Sequence, residues 1–265
     1  MSPARSGTDV TPPGSAPAVV RAISVLDALA ADPQGVMTLS NLARAIGIPK
    51  SSTSTICNAL ENGGLVRRDE LGYSLGRRLV ELGGSYLSRL DQVSEFYDLC
   101  TESPLFAGET VRLSALAGID TFCLARYEGH PALRLTAGIG DRFPASASAQ
   151  GKALLARLDD TEVKRLYYGI PELPRLTRNS RRTVGRLLRD LAQVRLQGWA
   201  VDEQEAAEHV VGLAVAIPTR GVRSSMLAVS VTLLDTDATP SRREEMVAEL
   251  QRFARALGNP LENPR

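Results

Sequence analysis

The chain has 265 residues, of which 43% are hydrophobic and 23% are charged, with 31 Lys and Arg against 30 Asp and Glu. This is the composition of an ordinary soluble globular protein, and it excludes collagen-like, wholly disordered and membrane-embedded classes. At roughly 150 residues per domain, the length predicts two domains that can each bury a core. A formal net charge of +1 means that any nucleic-acid surface must come from local clustering of basic residues.

The N-terminal segment, the apolar runs and the cysteines give no sign of secretion, of membrane insertion or of disulfide bonding. Residues 1–17 are rich in Pro, Gly, Ser and Thr, so we expect a disordered leader, and they lack the apolar core of a secretory signal. No apolar run approaches the roughly 18 residues that a membrane span needs. Cys57, Cys100 and Cys123 are unpatterned in spacing, which predicts neither a disulfide framework nor a metal site. We therefore expect a cytoplasmic protein with no membrane partner.

Hydrophobic spacing predicts three short helices in the first 65 residues. Apolar residues recur at helical spacing over 19–30, and a Pro- and Gly-containing break at 32–35 ends the pattern. Thr38 is placed to cap a second helix, and Gly47 is placed to end it, because glycine tolerates the left-handed C-cap. A third helix is predicted from Lys50 to Leu60. Its predicted apolar side consists of Ile56, Ala59 and Leu60.

A small hairpin is predicted directly after the third helix. Residues 65–68 and 73–75 have strand character and flank a turn at 69–72. Two helices joined by a tight Gly-containing turn form a helix-turn-helix, whose second helix can enter the DNA major groove. Helices followed by a hairpin therefore predict a winged helix-turn-helix over residues 18–77. An amphipathic helix from about Arg78 to Leu90 is expected next, within a linker at 78–92 that could also form a dimer seam.

Local charge and side-chain type favour DNA as the partner of this first domain. Residues 41–78 contain six basic and three acidic side chains, a net charge of +3. Positive charge can neutralise phosphates, while short hydroxyl and amide side chains let a helix approach base edges closely. A solvated first helical turn is the alternative interpretation of the hydroxyl-rich stretch. The candidate DNA contacts are Thr38, Lys50, Ser51, Ser52, Thr53, Ser54, Thr55, Asn58, Arg67 and Arg68.

Residues 93–260 are predicted to form a second, α+β domain around an antiparallel sheet. Alternating apolar and polar residues predict strands at Val111–Leu116, Phe122–Tyr127, Leu133–Thr136, Trp199–Asp202, Leu213–Pro218 and Leu227–Leu233. Helical patterns lie near 149–157, 160–168 and 183–197, and from Pro240 to Leu257. Ser230 and Thr232 should point to one face of their strand, because side chains alternate with a period of two.

Several segments resemble one family of proteins. LSNLARAIGIPKSSTSTICNALENGGLVRRDELGYSLGRRLVELGGSYL resembles the winged helix-turn-helix of the IclR family of bacterial transcriptional regulators. GETVRLSALAG, ASASAQGKALLARL and RLQGWAVDEQEAAE resemble the family's C-terminal effector-binding domain, a GAF-like fold. The resemblance implies a homodimer, paired into a tetramer in many members, that binds double-stranded DNA at palindromic promoter sites. It also implies allosteric control by a small-molecule effector.

The same resemblance implies an effector site. The family's effector loop matches residues 146–152, and amides at the start of the helix near Ala149 would suit a carboxylate or carbonyl group. The implied contacts are Ser148, Ala149, Gln150, Asp202, Ser230 and Thr232. The structural alternatives are a turn cap for Asp202, ordinary outward strand positions for Ser230 and Thr232, and a solvated Lys152. Many members have an Arg where Ser54 or Thr55 stands here, so we expect either an unusual operator sequence or a larger share of the DNA affinity from Lys50 and the wing.

Two other classes of protein remain as alternatives. An enzyme is disfavoured because His130 and His209 lie in separate segments, and no nucleophile elbow, phosphate loop or metalloprotease pattern occurs. The acidic residues Glu203, Glu205 and Glu208 are interpreted as a solvated face. A protein-interaction module would use the winged domain for docking and would bind without the steep salt dependence of phosphate contacts. No cofactor is expected.

Overall fold

The structure is a computed structural model that describes residues 16–87, 91–129, 138–218 and 226–258. The chain divides into two compact units, the first ending at Arg89 and the second beginning at Leu90. The leader predicted over 1–17 lies outside the described residues except for Ala16 and Pro17, and so does the strand predicted at 133–136. Among the helices in these ranges, none combines the length and the apolar character that a membrane span requires.

The first unit has the predicted order of helices and strands. It contains α1 (Pro17–Ala31), α2 (Leu39–Ile46), α3 (Lys50–Asn62), β1 (Val66–Asp69), β2 (Gly72–Leu75) and α4 (Arg78–Leu87). β1 and β2 pair antiparallel. This order confirms the winged helix-turn-helix. Thr38 caps α2 by accepting a hydrogen bond from Asn41 N at 3.3 Å, and Gly47 ends it at φ +69°, as predicted.

The core of this unit fixes which side of α3 faces inward. Val25 and Leu29 from α1 pack with Leu42 from α2 and with Cys57 and Leu60 from α3. The buried stripe of α3 is Thr53, Cys57 and Leu60, spaced i, i+4 and i+7. The predicted apolar side was therefore wrong at Ala59, which is exposed because the inward face is centred on Cys57.

The second unit is built on one six-stranded antiparallel sheet, which confirms the α+β class. The strands are β3 (Thr110–Ala117), β4 (Asp120–Glu128), β5 (Arg142–Pro144), β6 (Ala200–Glu203), β7 (Val210–Ala216) and β8 (Leu227–Leu234), in the spatial order β5-β4-β3-β8-β7-β6. The helices are α5 (Asp91–Glu102), α6 (Ala149–Leu155), α7 (Asp160–Leu166), α8 (Val184–Gln197) and α9 (Pro240–Gly258), with 3₁₀ turns at Pro104–Phe106 and Ala145–Ala147. Neither α5 nor β5 was predicted.

Small side chains bring α6 close to the sheet. Ala149 and Ala153 of α6 pack on Ala200, Ala214 and Ala228, one each from β6, β7 and β8. Alanine contributes no more than a methyl group, so the helix backbone can approach the strands closely. One sheet face therefore meets α6 directly. Polar residues on this same face of the strands lie beside the start of α6.

Candidate DNA interface and effector cavity

The polar face of α3 lies on the side away from the core. Lys50, Ser51, Thr55 and Asn58 are exposed, and the last three form a stripe with spacing i, i+4 and i+7. The Thr55 hydroxyl donates to Ser51 O at 3.1 Å, which leaves its oxygen able to accept from an outside donor. Ser52 and Ser54 flank the stripe and are half-buried.

Thr53 lies in the core of the first unit and not on its surface. Its side chain is 0% exposed, and its hydroxyl donates to Pro49 O at 3.0 Å. A side chain without surface cannot reach a base or a phosphate. The inclusion of Thr53 among the DNA contacts is therefore corrected: it fixes the first turn of α3 against the core.

The wing arginines are steadied by contacts within the hairpin. Arg67 Nε donates to Ser74 Oγ at 2.8 Å, and the Arg67 guanidinium lies 3.8 Å from the Asp69 carboxylate. The Arg68 guanidinium lies 5.4 Å from the centroid of the Tyr73 ring. Both arginines are exposed. Their charges therefore stay in solvent while their orientations are restricted, which suits contact with a phosphate backbone.

The second unit contains a cavity of about 230 Å³ on the α6 side of the sheet. Its lining includes four of the six predicted effector residues, Ser148, Gln150, Asp202 and Thr232. The lining also contains Arg112, Phe143, Ala206, Ala207, Val210, Gly212 and Val231. Ala149 and Ser230 are buried, but they are not among the lining residues.

One row of residues across the sheet forms the floor of the cavity. Asp202 of β6 pairs with Gly212 of β7, and Gly212 pairs with Thr232 of β8. A Cβ at Gly212 would lie 3.3 Å from the Cβ atoms of both Asp202 and Ala149, so glycine keeps this position open. Thr232 and Ser230 are buried on one face, which rules out the alternative that they are outward strand residues.

Asp202 is a turn cap that also lines the cavity. Its Oδ1 accepts from the backbone N–H of Glu205 at 2.5 Å and of Ala206 at 3.2 Å. Its Oδ2 forms no hydrogen bond with any residue that the structure describes. Burial disfavours the carboxylate and raises the pKa of Asp202 to about 7, although the two N–H donors and the Lys152 charge oppose the shift.

Ser148 organises the loop before α6. Its Oγ accepts from Gly151 N at 3.3 Å and donates to Pro144 O at 3.2 Å, so the hydroxyl caps α6 and anchors it to β5. Because α6 has only seven residues, its N-terminus alone does not define an anion site. The role expected for its amides stays a prediction.

Lys152 and Glu205 are not on the surface, so their interpretation as solvated side chains was wrong. Lys152 Nζ lies 2.6 Å from Glu205 Oε1, and the two side chains are 3% and 1% exposed. Asp190 of α8 lies 4.0 Å from the same Nζ and accepts from Arg181 Nε at 2.6 Å. The pairing compensates the cost of burying both charges. Glu203, Glu208 and His209 are exposed, as predicted.

Arg112 is the charged cavity residue that the sequence did not predict. It lies on β3, is 6% exposed, and donates from Nη1 to Thr232 Oγ1 at 2.8 Å. Its Nε is buried without a hydrogen-bond partner, and it forms no ion pair with any described residue. Burial lowers its pKa. The available signal was a basic residue in the middle of the otherwise apolar segment TVRLSALA.

The described ranges hold no cluster of three or more His, Cys, Asp or Glu side chains that could bind a metal ion. A winged helix-turn-helix with a polar recognition helix and a second domain with a polar cavity together define a class of protein. This class is the ligand-responsive DNA-binding regulators.

Comparison with known proteins identifies the family. Residues 84–259 match the C-terminal region of the bacterial transcriptional regulator IclR, and residues 18–70 match the IclR helix-turn-helix domain. The chain therefore belongs to the IclR family. It is 34% identical over 222 residues to the HTH-type transcriptional regulator TtgV of Pseudomonas putida. This alignment covers 81% of the present chain and 82% of TtgV. The protein is thus a DNA-binding transcriptional regulator with a C-terminal effector-binding domain.

Solved structures show the same fold. An IclR-type regulator from Alicyclobacillus acidocaldarius matches with a TM-score of 0.80 and 23% identity, covering 92% of this chain and 98% of that one. An IclR homologue from Microbacterium hydrocarbonoxydans, in complex with 4-hydroxybenzoate, matches with a TM-score of 0.77 and 24% identity over 92% of this chain and 99% of that one.

Proposed function

We propose that the chain acts as a homodimer, that α3 and the wing hold promoter DNA, and that a small molecule in the cavity beside Asp202 changes promoter occupancy. The observation that carries this proposal is the cavity itself. It combines apolar walls with a few buried polar groups, which is the usual composition of a small-molecule site. A carboxylate or carbonyl compound is the proposed effector class, and 4-hydroxybenzoate in the Microbacterium homologue is an example of such a ligand.

The proposed DNA contacts follow from exposure. Lys50 stands at the start of α3, beside the stripe of Ser51, Thr55 and Asn58, where these short side chains can reach base edges. The remaining proposed contacts are Ser52, Ser54 and Thr38, with Arg67 and Arg68 on the phosphate backbone. The net charge of +3 over residues 41–78 supports a nucleic-acid partner over a protein-docking role.

A second copy of the chain is the proposed partner of α4. This helix has no buried residue, and its apolar side chains are largely exposed: Val80 is 77%, Leu82 is 49% and Tyr86 is 51% exposed. Apolar side chains grouped on one short helix mark an interaction surface. Pairing of two copies would place two winged domains for the two halves of a palindromic site. We propose α4 as the route by which effector occupancy biases the placement of these domains.

We infer a regulator that is not an enzyme. His209 is exposed, with its ring 3.2 Å from the Asp235 carboxylate, and neither residue lines the cavity beside Asp202. No described Ser or Cys accompanies such a pair as an activated nucleophile would. Since the proposed partner is chromosomal DNA, the cytoplasm is the proposed place of action.

Fluorescence-anisotropy titration tests the proposal directly. The purified protein is titrated with the duplex upstream of its own gene and with a scrambled duplex, each at two salt concentrations. We expect tighter binding to the natural duplex and a steep loss of affinity with salt, because bound phosphates release counterions. Weak binding to both duplexes that does not depend on salt would instead support the protein-docking alternative.

A further inference from the structure

Arg112 is a buried cation that forms no ion pair with any described residue. Lys152 pairs with Glu205 in the same unit, and Arg126, the direct cross-strand partner of Arg112, forms an ion pair with Glu128. Arg112 is 6% exposed, and among the described residues its guanidinium donates only to the Thr232 hydroxyl. A buried charge is costly unless it is paired. This guanidinium therefore has the capacity for an ion pair that the described residues do not supply.

The Arg112 side chain lines a cavity in which an anion could bind. Arg112 and Thr232 both line the cavity, and their hydrogen bond holds the guanidinium over β8. Asp202 lines the same cavity from β6, and Gly212 of the intervening strand leaves the floor between them without a side chain. Because neighbouring strands lie about 4.8 Å apart, β6 and β8 are separated by about 10 Å. A basic group and an acidic group thus face one small cavity from two sides.

We propose that the effector is a small organic acid whose carboxylate pairs with Arg112 and whose hydroxyl, or other hydrogen-bond donor, binds Asp202 Oδ2. This inference rests on the proposed function, in which the cavity is the effector site. Arginine presents a planar fork of donors that matches a carboxylate. Asp202 Oδ2 has no other partner among the described residues and, when ionised, can accept a hydrogen bond. A second carboxylate at that end would face Asp202 with like charge, so dicarboxylates are disfavoured.

Cavity size limits the acid to metabolite dimensions. The volume of about 230 Å³ lies below the roughly 300–1,000 Å³ of sites that hold drug-sized ligands. Short hydroxy acids and phenyl-substituted hydroxy acids fit within this volume.

The test compares matched small molecules on the full-length protein. The probes are lactate, 3-hydroxybutyrate, mandelate and 3-hydroxyphenylacetate. Each is compared with its neutral carboxamide and with the acid that lacks the hydroxyl group. Calorimetric titration at millimolar ligand gives the affinities. We expect at least one hydroxy acid to bind, with its carboxamide weaker by at least about tenfold and its deoxy acid weaker by several-fold.

Variants assign each preference to its residue. Arg112→Met should abolish the preference for acid over carboxamide, and Arg112→Lys should retain part of it, which guards against a simple folding defect. Asp202→Asn should reduce the preference for the hydroxyl group and keep the preference for the acid. Arg126→Met is the matched control, because Arg126 is on the neighbouring strand and does not line the cavity. Its acid preference should be unchanged.

The outcomes separate this inference from the proposed function. Binding of no acid in the panel, equal binding of acids and carboxamides, or an acid preference that survives in Arg112→Met would each overturn the inference. If a neutral compound releases the protein from its promoter duplex, the proposed function holds and the inference fails. If a hydroxy acid binds through Arg112 without changing DNA affinity, the ligand chemistry holds and the proposed regulation fails.

Discussion

Lys152 Nζ and Glu205 Oε1 lie 2.6 Å apart, and both side chains are almost wholly buried. The pair joins α6 to the turn after β6, and that turn also contains the backbone N–H groups that bind Asp202. Asp190 and Arg181 lie 4.0 Å and 3.9 Å from the two members of the pair, but Glu205 Oε2 is buried without a hydrogen-bond partner, so Lys152 makes the closest contact to this carboxylate. The geometry around Asp202 therefore depends on an ion pair that lies behind the cavity wall.

Removing one member of this pair should destabilise the second unit strongly. Lys152→Met leaves the buried Glu205 carboxylate with only a 3.9 Å contact to Arg181, and we expect a loss of roughly 3 kcal/mol in the free energy of unfolding. The double variant Lys152→Met with Glu205→Gln should recover much of this loss. Urea unfolding is followed by Trp199, the single tryptophan, which lies in the second unit. The control is the exposed Lys164→Met, and equal small effects of both lysine variants would contradict the prediction.

Lys50→Ala should weaken binding to the natural and scrambled duplexes alike. Loss of one phosphate contact lowers the slope of log affinity against log salt by about one. Anisotropy titrations over a series of salt concentrations measure the slope. Lys164→Ala removes an exposed lysine from the other unit and should leave the slope unchanged. A wild-type slope in Lys50→Ala would remove Lys50 from the interface.

Two threonines of α3 give a matched test of the DNA-facing side. Thr55→Val should reduce affinity for the natural duplex, because the Thr55 oxygen is exposed on the polar stripe. Thr53→Val should leave affinity unchanged and cost about 1 kcal/mol of stability, through loss of its bond to Pro49 O. Anisotropy and urea unfolding on both variants separate these effects. A Thr53→Val variant that folds normally but loses DNA affinity would contradict the assignment of the Thr55 side of α3 as the DNA-facing side.

Leu82→Asp should weaken self-association if α4 is the surface between two copies. Leu82 is 49% exposed, so the substitution costs little within one chain, whereas a charge in an apolar interface is expensive. Sedimentation equilibrium gives the dimer dissociation constant. Leu196→Asp is the control, because Leu196 is 84% exposed in the second unit. A shift of equal size in both variants would argue against α4 as the specific seam.

Local patterns in the sequence were sufficient for most helices and strands. The cap at Thr38 and the stop at Gly47 depend on neighbouring residues only, so they were predictable. The inward face of α3 was less clear, because hydroxyl residues lie on both sides of the helix. Thr53 and Thr55 look alike in the sequence, and only packing against α1 and α2 distinguishes them.

The cavity required information that no local pattern contains. Arg112 and Thr232 are 120 residues apart in the chain and meet because β3 and β8 are neighbours in the sheet. The partner of Lys152 likewise comes from the turn after β6. Strand order decides such contacts, and it cannot be obtained from alternation within single strands. The family resemblance, which encodes strand order indirectly, nevertheless pointed to four of the residues that line the cavity.

Asp202 should make stability depend on pH in a direction opposite to that of an ordinary ion-paired carboxylate. Its pKa is raised from 3.8 to about 7, so between these values the folded state binds a proton that the unfolded state has released. The stabilising contribution is therefore present below pH 3.8 and is lost as pH rises towards about 7. The slope from this one group is at most about 1.4 kcal/mol per pH unit.

Asp202→Asn should remove this part of the pH dependence. Urea unfolding followed by Trp199 fluorescence at a series of pH values gives the free energy for both proteins. The difference between them should change steadily across the interval and level off above about pH 7, where Asp202 is ionised in both states. Glu208→Gln, at an exposed position, should instead reproduce the wild-type curve. A constant difference between wild type and Asp202→Asn would mean that Asp202 titrates as an ordinary aspartate, and its carboxylate would then be better solvated than its burial indicates.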